Sequence, residues 1–216
     1  MMNKSEVLQT IYRAGLVPVL RARSAADALA IAGAVTAGGV PVLEVTMTVP
    51  GAIDLIGKLA EQFAERVLLG AGTVLDPETA RLCILAGAKF IVSPALNLKT
   101  IEMCQRHEIV VIPGALTPTE IVTAWQAGAD VLKIFPCSAM GGAKYLVALK
   151  APLPQVKMIP TGGVSLSTAA AFLAAGAFAL GVGSDLIDND AIAQGRPETI
   201  TENAKKYVEI VKNFRK

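Results

Sequence analysis

Eight short aliphatic or β-branched runs recur along the chain, starting at Val17, Val40, Val67, Phe90, Val110, Val131, Lys157 and Phe178, at intervals of 20 to 27 residues. They read "VPVLRA", "VPVLEVT", "VLLGAGT", "FIVSP", "VVIPGA", "VLKIFP", "KMIPTGG" and "FALGVGS". Stretches with helical periodicity separate them, among them "SAADALAIAGAVTAGG", "PETARLCILAGA", "PTEIVTAWQAGA" and "SLSTAAAFLAAGA". Regular alternation of β and α requires a parallel sheet with its helices outside, because parallel neighbours need a crossover connection. Eight such units close most naturally into a (β/α)8 TIM barrel, and the chain, residues 1–216, is long enough for one such domain. An extra N-terminal helix near Lys4 to Ala14 is expected to cover the barrel bottom. A doubly wound open sheet is the alternative. It demands a glycine fingerprint after the first strand, and "LRARSAAD" contains no glycine.

Helix boundaries agree with this period. Four helices end in related phrases, "AGGV" from Ala37, "AGAK" from Ala86, "AGAD" from Ala127 and "AGAF" from Ala175, where a glycine suits a left-handed cap. Ser24, Asp76, Thr117 and Ser165 are candidate N-caps, and Pro77 and Pro118 fit the first helical turn.

Several function classes drop out on composition. With 53% hydrophobic and 18% charged residues the chain has ample material for an aliphatic core, which argues against disorder. Lys and Arg number 20 against 18 Asp and Glu, dispersed without a concentrated basic face, so nucleic acid is not an expected partner. The longest apolar run, "AAAFLAAGAFALGVG", is 15 residues with three glycines, short of the roughly 20 that span a bilayer, so no membrane is expected. "MMNKSEVLQTIY" carries neither an apolar signal core nor a cleavage site, which makes the cytoplasm the expected compartment. Cys83, Cys104 and Cys137 show no CxxC spacing and read as ordinary buried thiols. His107 is the single histidine, which removes His-based triads and most zinc sites; neither metal nor cofactor is expected.

Chemistry in such a barrel sits at the C-terminal mouth, so polar residues late on strands are the candidates: Arg21, Glu44, Thr73, Ser93, Lys133 and Thr161. In "DVLKIFP", alternation sets Val131, Lys133 and Phe135 on one face and Leu132 and Ile134 on the other, so Lys133 points into the barrel if the aliphatic pair meets the helices. Two readings stay open for it. Lys133 and Glu44 can be a structural ion pair, or the amine can attack a carbonyl to form an imine while Glu44 moves protons. Glycine turns follow the seventh and eighth strands, "PTGGVS" from Pro160 and "GVGSDL" from Gly181. Backbone N–H groups at these loops commonly hold phosphate, making Gly162, Gly163, Gly183 and Ser184 the phosphate-binding candidates. The expected partner is a small phosphorylated molecule carrying a carbonyl. A non-catalytic phosphosugar-binding barrel, or a decarboxylase of a phosphorylated ligand, would share these loops.

With these motifs in order, the chain closely resembles the 2-keto-3-deoxy-6-phosphogluconate (KDPG) aldolase family, class I aldolases related to 4-hydroxy-2-oxoglutarate (KHG) aldolase. The resemblance runs from "GLVPVLRA" through "GGVPVLEVTMTVPGA", "GAGTVLDPE", "AGAKFIVSPALN", "IPGALTPTE" and "AGADVLKIFP" to "PTGGV" and "GVGSDL". It implies reversible cleavage of KDPG, a phosphorylated keto acid, to pyruvate and glyceraldehyde 3-phosphate by a homotrimer of barrels. It also implies a Schiff base on Lys133 and proton transfer by Glu44. Thr73 matches a position that binds the pyruvyl carboxylate, Pro94 and Phe135 match residues packing beside the imine, and Thr161 matches one that handles the incoming aldehyde. Many members carry a carboxylate-gripping arginine where this chain has Thr48. Arg21, which other members with "TVP" share, is the expected substitute. The gluconate, galactonate and unphosphorylated substrates stay open on sequence grounds.

Overall fold

The computed structural model describes residues 2–63 and 66–215. Its strands are β1 (Leu16–Leu20), β2 (Val42–Thr46), β3 (Leu68–Gly72), β4 (Phe90–Val92), β5 (Val110–Ile112), β6 (Gly114–Ala115), β7 (Leu132–Ile134), β8 (Met158–Pro160) and β9 (Leu180–Val182). All ladders are parallel, in the orders β5-β4-β3-β2-β1-β9 and β6-β7-β8. Two links close the ring. β5 and β6 are one barrel strand interrupted at Pro113, whose carbonyl accepts the Lys133 N–H at 2.9 Å. On the other side, a bridge between Thr161 and Gly181 and the Phe178 N–H to Met158 carbonyl bond at 2.8 Å join β8 to β9. The fifth run, "VVIPGA", is thus split where the sequence suggests one strand, because proline supplies no ladder N–H.

The helices are α1 (Lys4–Ala14), α2 (Ala25–Ala37), α3 (Ala52–Phe63), α4 (Pro77–Leu85), α5 (Leu98–Arg106), α6 (Pro118–Gln126), α7 (Ala143–Lys150), α8 (Ala169–Ala174), α9 (Asn189–Ala193) and α10 (Glu198–Phe214). Strand alternation divides the core in two. Leu43, Val45, Leu132 and Ile134 face outward into the layer shared with the helices, while Val42, Phe90, Val92, Ile112, Val131 and Ile159 fill the barrel interior. Val7 and Ile11 of α1 belong to that inner cluster, so this helix stoppers the barrel bottom. Burying two such side chains contributes roughly 1.5–3 kcal/mol each. An ion pair at 2.9 Å between Lys4 Nζ and Asp130 Oδ2 holds the start of α1 in place.

Three of the four expected caps form. Ser24 accepts the Asp27 N–H at 3.1 Å, Asp76 accepts that of Thr79 at 2.6 Å, and Thr117 builds a capping box with Glu120. Ser165 is the exception: α8 begins only at Ala169, and the Ser165 N–H donates instead to Thr168 Oγ1 at 2.8 Å. The Thr168 hydroxyl also donates to the Gly163 carbonyl at 3.0 Å, so this segment is shaped as a loop at the barrel mouth and not as a helix start. The glycines ending α2, α4, α6 and α8 are left-handed as expected, at Gly39, Gly87, Gly128 and Gly176. The next N–H in each case reaches back five residues, as from Ala88 to Cys83.

Candidate active site

Lys133 is the central residue of β7, between Gly114 of β6 and Ile159 of β8; Glu44 is the central residue of β2, between Val19 and Gly70. Both point inward and are almost fully buried, at 5% and 2% exposure. Lys133 Nζ lies 3.6 Å from Glu44 Oε1, close enough for an ion pair and too long for a good hydrogen bond. That oxygen has no hydrogen-bond partner among the described residues. A buried acceptor left unsatisfied costs about 1–3 kcal/mol, and more when charged, so the arrangement is poorly optimised as a structural pair.

Glu44, Lys133 and Thr161, with Val92, Ile112 and Ile159 as apolar walls, enclose a cavity of about 10 Å³, room for about one water. Two glycines make this space. A methyl on Gly72 would overlap the Glu44 carboxylate, and one on Gly181 would overlap the Thr161 hydroxyl. Toward the mouth, the half-buried Phe135 ring has its centroid 5.5 Å from Lys133 Nζ. Pro94 follows β4 and is half-buried, and Thr161 follows β8 and is buried. Thr73 follows β3 with φ at 58°, a left-handed backbone that costs a non-glycine residue roughly 1–2 kcal/mol.

Arg21 follows β1 in the register of Val17 and Val19, exposed at the mouth and without an ion pair or hydrogen bond among the described residues. Its neighbour Leu20 offers a carbonyl to the Thr46 hydroxyl at 2.9 Å, and Thr46 Oγ1 is 2.7 Å from Thr48 Oγ1. This chain of bonds sets the Thr48 segment beside the end of β1. Ser93 does not join the set. Phe90 and Val92 occupy the inward register, which turns Ser93 the other way, and its hydroxyl accepts the Ala95 N–H at 3.2 Å.

The two glycine loops lie side by side at the mouth. Gly162 and Gly163 are consecutive left-handed residues. The N–H groups of Gly163, Gly183 and Ser184 are taken by no acceptor among the described residues, while the Gly162 N–H lies in the bridge between Thr161 and Gly181. The segment after β7 is stitched to the first loop by Cys137 N–H to the Thr161 carbonyl at 2.9 Å and Ser138 N–H to the Gly162 carbonyl at 3.2 Å. Ser138 packs where a Gly163 side chain would be, with its own side chain exposed. Sequence reasoning missed Ser138, because only the contact between two loops brings it to the site.

The cysteines are free and buried; burial pushes the Cys83, Cys104 and Cys137 thiols up to about 11, 12 and 11, which leaves them poor nucleophiles. His107 caps the end of α5 in solvent. Among the described residues no group of three or more His, Cys, Asp or Glu side chains could hold a metal ion.

The chain is an α/β barrel whose buried amine, set beside a carboxylate beneath the mouth, has the groups for imine chemistry. The family model for KDPG and KHG aldolase matches residues 7–203, and the chain belongs to that aldolase family. It is 34% identical over 205 residues to the 2-dehydro-3-deoxy-phosphogluconate aldolase of Treponema pallidum (strain Nichols), covering 95% of this chain and 97% of that relative. Identity to the KHG/KDPG aldolase of Escherichia coli (strain K12) is 36% over 210 residues, or 97% and 98% of the two chains. Among solved structures, the KDPG aldolase from Legionella pneumophila, with pyruvate captured at low pH as a covalent carbinolamine intermediate, superposes with a TM-score of 0.86. That match has 33% identity and covers 94% of this chain and 97% of the other.

Proposed function

We propose that the chain cleaves KDPG reversibly to pyruvate and glyceraldehyde 3-phosphate through an imine on Lys133. The observation that carries this reading is the buried Lys133 Nζ at 3.6 Å from a Glu44 oxygen that has no hydrogen-bond partner among the described residues. The free amine adds to the C2 ketone to give a carbinolamine, whose hydroxyl takes a proton from Glu44 and leaves as water, giving a protonated imine and the Glu44 carboxylate. Glu44, directly or through one water, takes the proton of the C4 hydroxyl. The C3–C4 bond then breaks, its electron pair flowing into the imine, so C4 leaves as the aldehyde and the pyruvyl enamine remains. Glu44 returns a proton to C3, and hydrolysis of the imine frees pyruvate and the amine. The electron sink is the imine itself, so the route needs neither metal nor cofactor.

The remaining residues divide by substrate end. Arg21 and Thr73 receive the carboxylate, Pro94 and Phe135 pack beside the imine, and Thr161 faces the aldehyde portion. The loops at Gly162, Gly163, Gly183 and Ser184 receive the phosphate, the free N–H groups of Gly163, Gly183 and Ser184 being the first donors. KHG is the second reading, favoured by the double name of the Escherichia coli relative. Turnover of KDPG, its galactonate epimer and KHG decides between them. The highest kcat/KM is expected with KDPG, and an equal or higher value with KHG would overturn the assignment.

The reading includes a homotrimer. Leu82 and Leu85 on α4 are exposed, as are Leu75 before it and Leu98 at the start of α5; the Asn97 side chain donates to the Leu75 carbonyl at 3.0 Å and draws these ends together. This apolar patch supports an interface between copies. A solution mass three times the 22.4 kDa of one chain is expected, and a single-chain mass would overturn it. The cytoplasm is the proposed compartment, consistent with three unpaired buried thiols; no helix among the described residues is long and apolar enough to cross a membrane.

A further inference from the structure

The loops after β8 and β9 are distant in sequence, yet one carboxylate joins them. Asp185 Oδ1 accepts the Leu166 N–H at 3.1 Å and also the hydroxyl of Tyr207 on α10. On one side the connection continues from Ser165 N–H to Thr168 Oγ1 at 2.8 Å and from that hydroxyl to the Gly163 carbonyl at 3.0 Å. On the other, Asp185 lies inside a turn in which the Gly183 carbonyl accepts the Leu186 and Ile187 N–H groups at 3.1 and 3.0 Å. Tyr207, Asp185, Leu166 and Thr168 therefore form an unbroken path from the helix layer to both glycine loops and their free N–H groups.

Two features separate this path from ordinary packing. The Tyr207 ring is fully buried, and a phenylalanine would fill the same space, so packing does not require the hydroxyl. Burial, reinforced by the Asp185 acceptor, pushes that hydroxyl's pKa upward and keeps it a donor. Asp185, in contrast, is exposed beside N–H groups suited to an anion, where a carboxylate is unfavourable for charge. Its place there is intelligible if its task is geometric: one oxygen gathers both donors.

We propose that Tyr207 and Asp185 are a positioning pair that holds the Gly162–Gly163 and Gly183–Ser184 arms at the separation gripping the substrate phosphate, without touching substrate. The inference rests on the phosphate reading above. It is tested with Tyr207→Phe, Asp185→Asn and Asp185→Ala, each assayed with KDPG and KHG and with inorganic phosphate as inhibitor. Tyr207→Phe is expected to raise KM for KDPG and the inhibition constant of inorganic phosphate about tenfold, as for one lost bond to a charged group. Its kcat with KDPG, and both parameters with KHG, should stay near wild type.

Asp185→Asn keeps an acceptor oxygen for both donors and removes the unfavourable charge, so its KM for KDPG and inhibition constant for phosphate should be no higher than wild type, whereas Asp185→Ala should reproduce the Tyr207→Phe defect. A merely structural role would change both substrates alike, and that result overturns the proposal, as does an asparagine variant no better than alanine. Wild type that neither prefers KDPG nor is inhibited by phosphate overturns the phosphate reading and the pair with it. Wild type that does both, matched by Tyr207→Phe, overturns the pair alone.

Discussion

Lys133→Met is expected to remove aldol cleavage, a loss of about 10,000-fold or more in kcat, because the nucleophile that forms the covalent intermediate is gone. Methionine has similar length and suits the apolar walls of Val92, Ile112 and Ile159. The substitution also strands the Glu44 carboxylate, which is 2% exposed and has no other partner at Oε1 among the described residues. Breaking a buried pair in this way costs about 3–5 kcal/mol, a large share of the 5–15 kcal/mol that holds a typical domain together. Inactivity alone would therefore confuse lost chemistry with lost folding. The double variant Lys133→Met/Glu44→Gln leaves no orphan charge and should fold with near-normal thermal stability while remaining inactive. Borohydride with pyruvate supplies the positive test: the wild type should gain a reduced pyruvate adduct on the Lys133 peptide, and the double variant none. An unlabelled wild type, or an adduct elsewhere, would overturn the imine. A barrel that only binds phosphosugars would show no turnover to lose.

The barrel was legible because each unit repeats its own punctuation. Left-handed glycines at Gly87, Gly128 and Gly176 stop helices at the same phase of the period, and the caps at Ser24, Asp76 and Thr117 start them. Lys133 and Glu44 stood out because charge inside an aliphatic run conflicts with its surroundings. Their separation of 3.6 Å did not, since it depends on how the ring closes and not on either strand alone. Closure also decides which glycines matter: Gly72 and Gly181 look like ordinary strand glycines until the neighbouring strands set Glu44 and Thr161 against them. Ser93 misled for a related reason, as a polar residue late on a strand is a candidate only in the inward register. Tyr207 and Asp185 gave no sign in the sequence. A tyrosine on an amphipathic helix reads as core and an aspartate in a loop reads as surface; their bond appears only when α10 packs beneath the mouth.

Glu44→Gln is expected to lower kcat by about 100- to 10,000-fold, the range for losing a positioned general acid–base group. Glutamine keeps the volume that Gly72 leaves open for the carboxylate, so the barrel wall has no cause to rearrange. What changes is proton affinity: an amide cannot take the C4 hydroxyl proton or return one to C3. Imine formation uses the amine and the carbonyl, so borohydride should still fix pyruvate on Lys133 in this variant, more slowly than in wild type. Exchange of the pyruvate methyl protons with deuterated solvent isolates the other half of the cycle, because it requires proton transfer at C3 and no carbon–carbon cleavage. That exchange should fall in parallel with kcat for KDPG. A variant that still traps pyruvate but has lost exchange assigns the proton step to Glu44. Retention of exchange within tenfold of wild type would instead leave Glu44 as the counter-charge of Lys133, with protons moving through another group at the mouth. The arrangement in the barrel favours the first outcome, because the carboxylate oxygen nearest the amine faces a cavity of about 10 Å³, space for one water between the acid–base group and the substrate carbon.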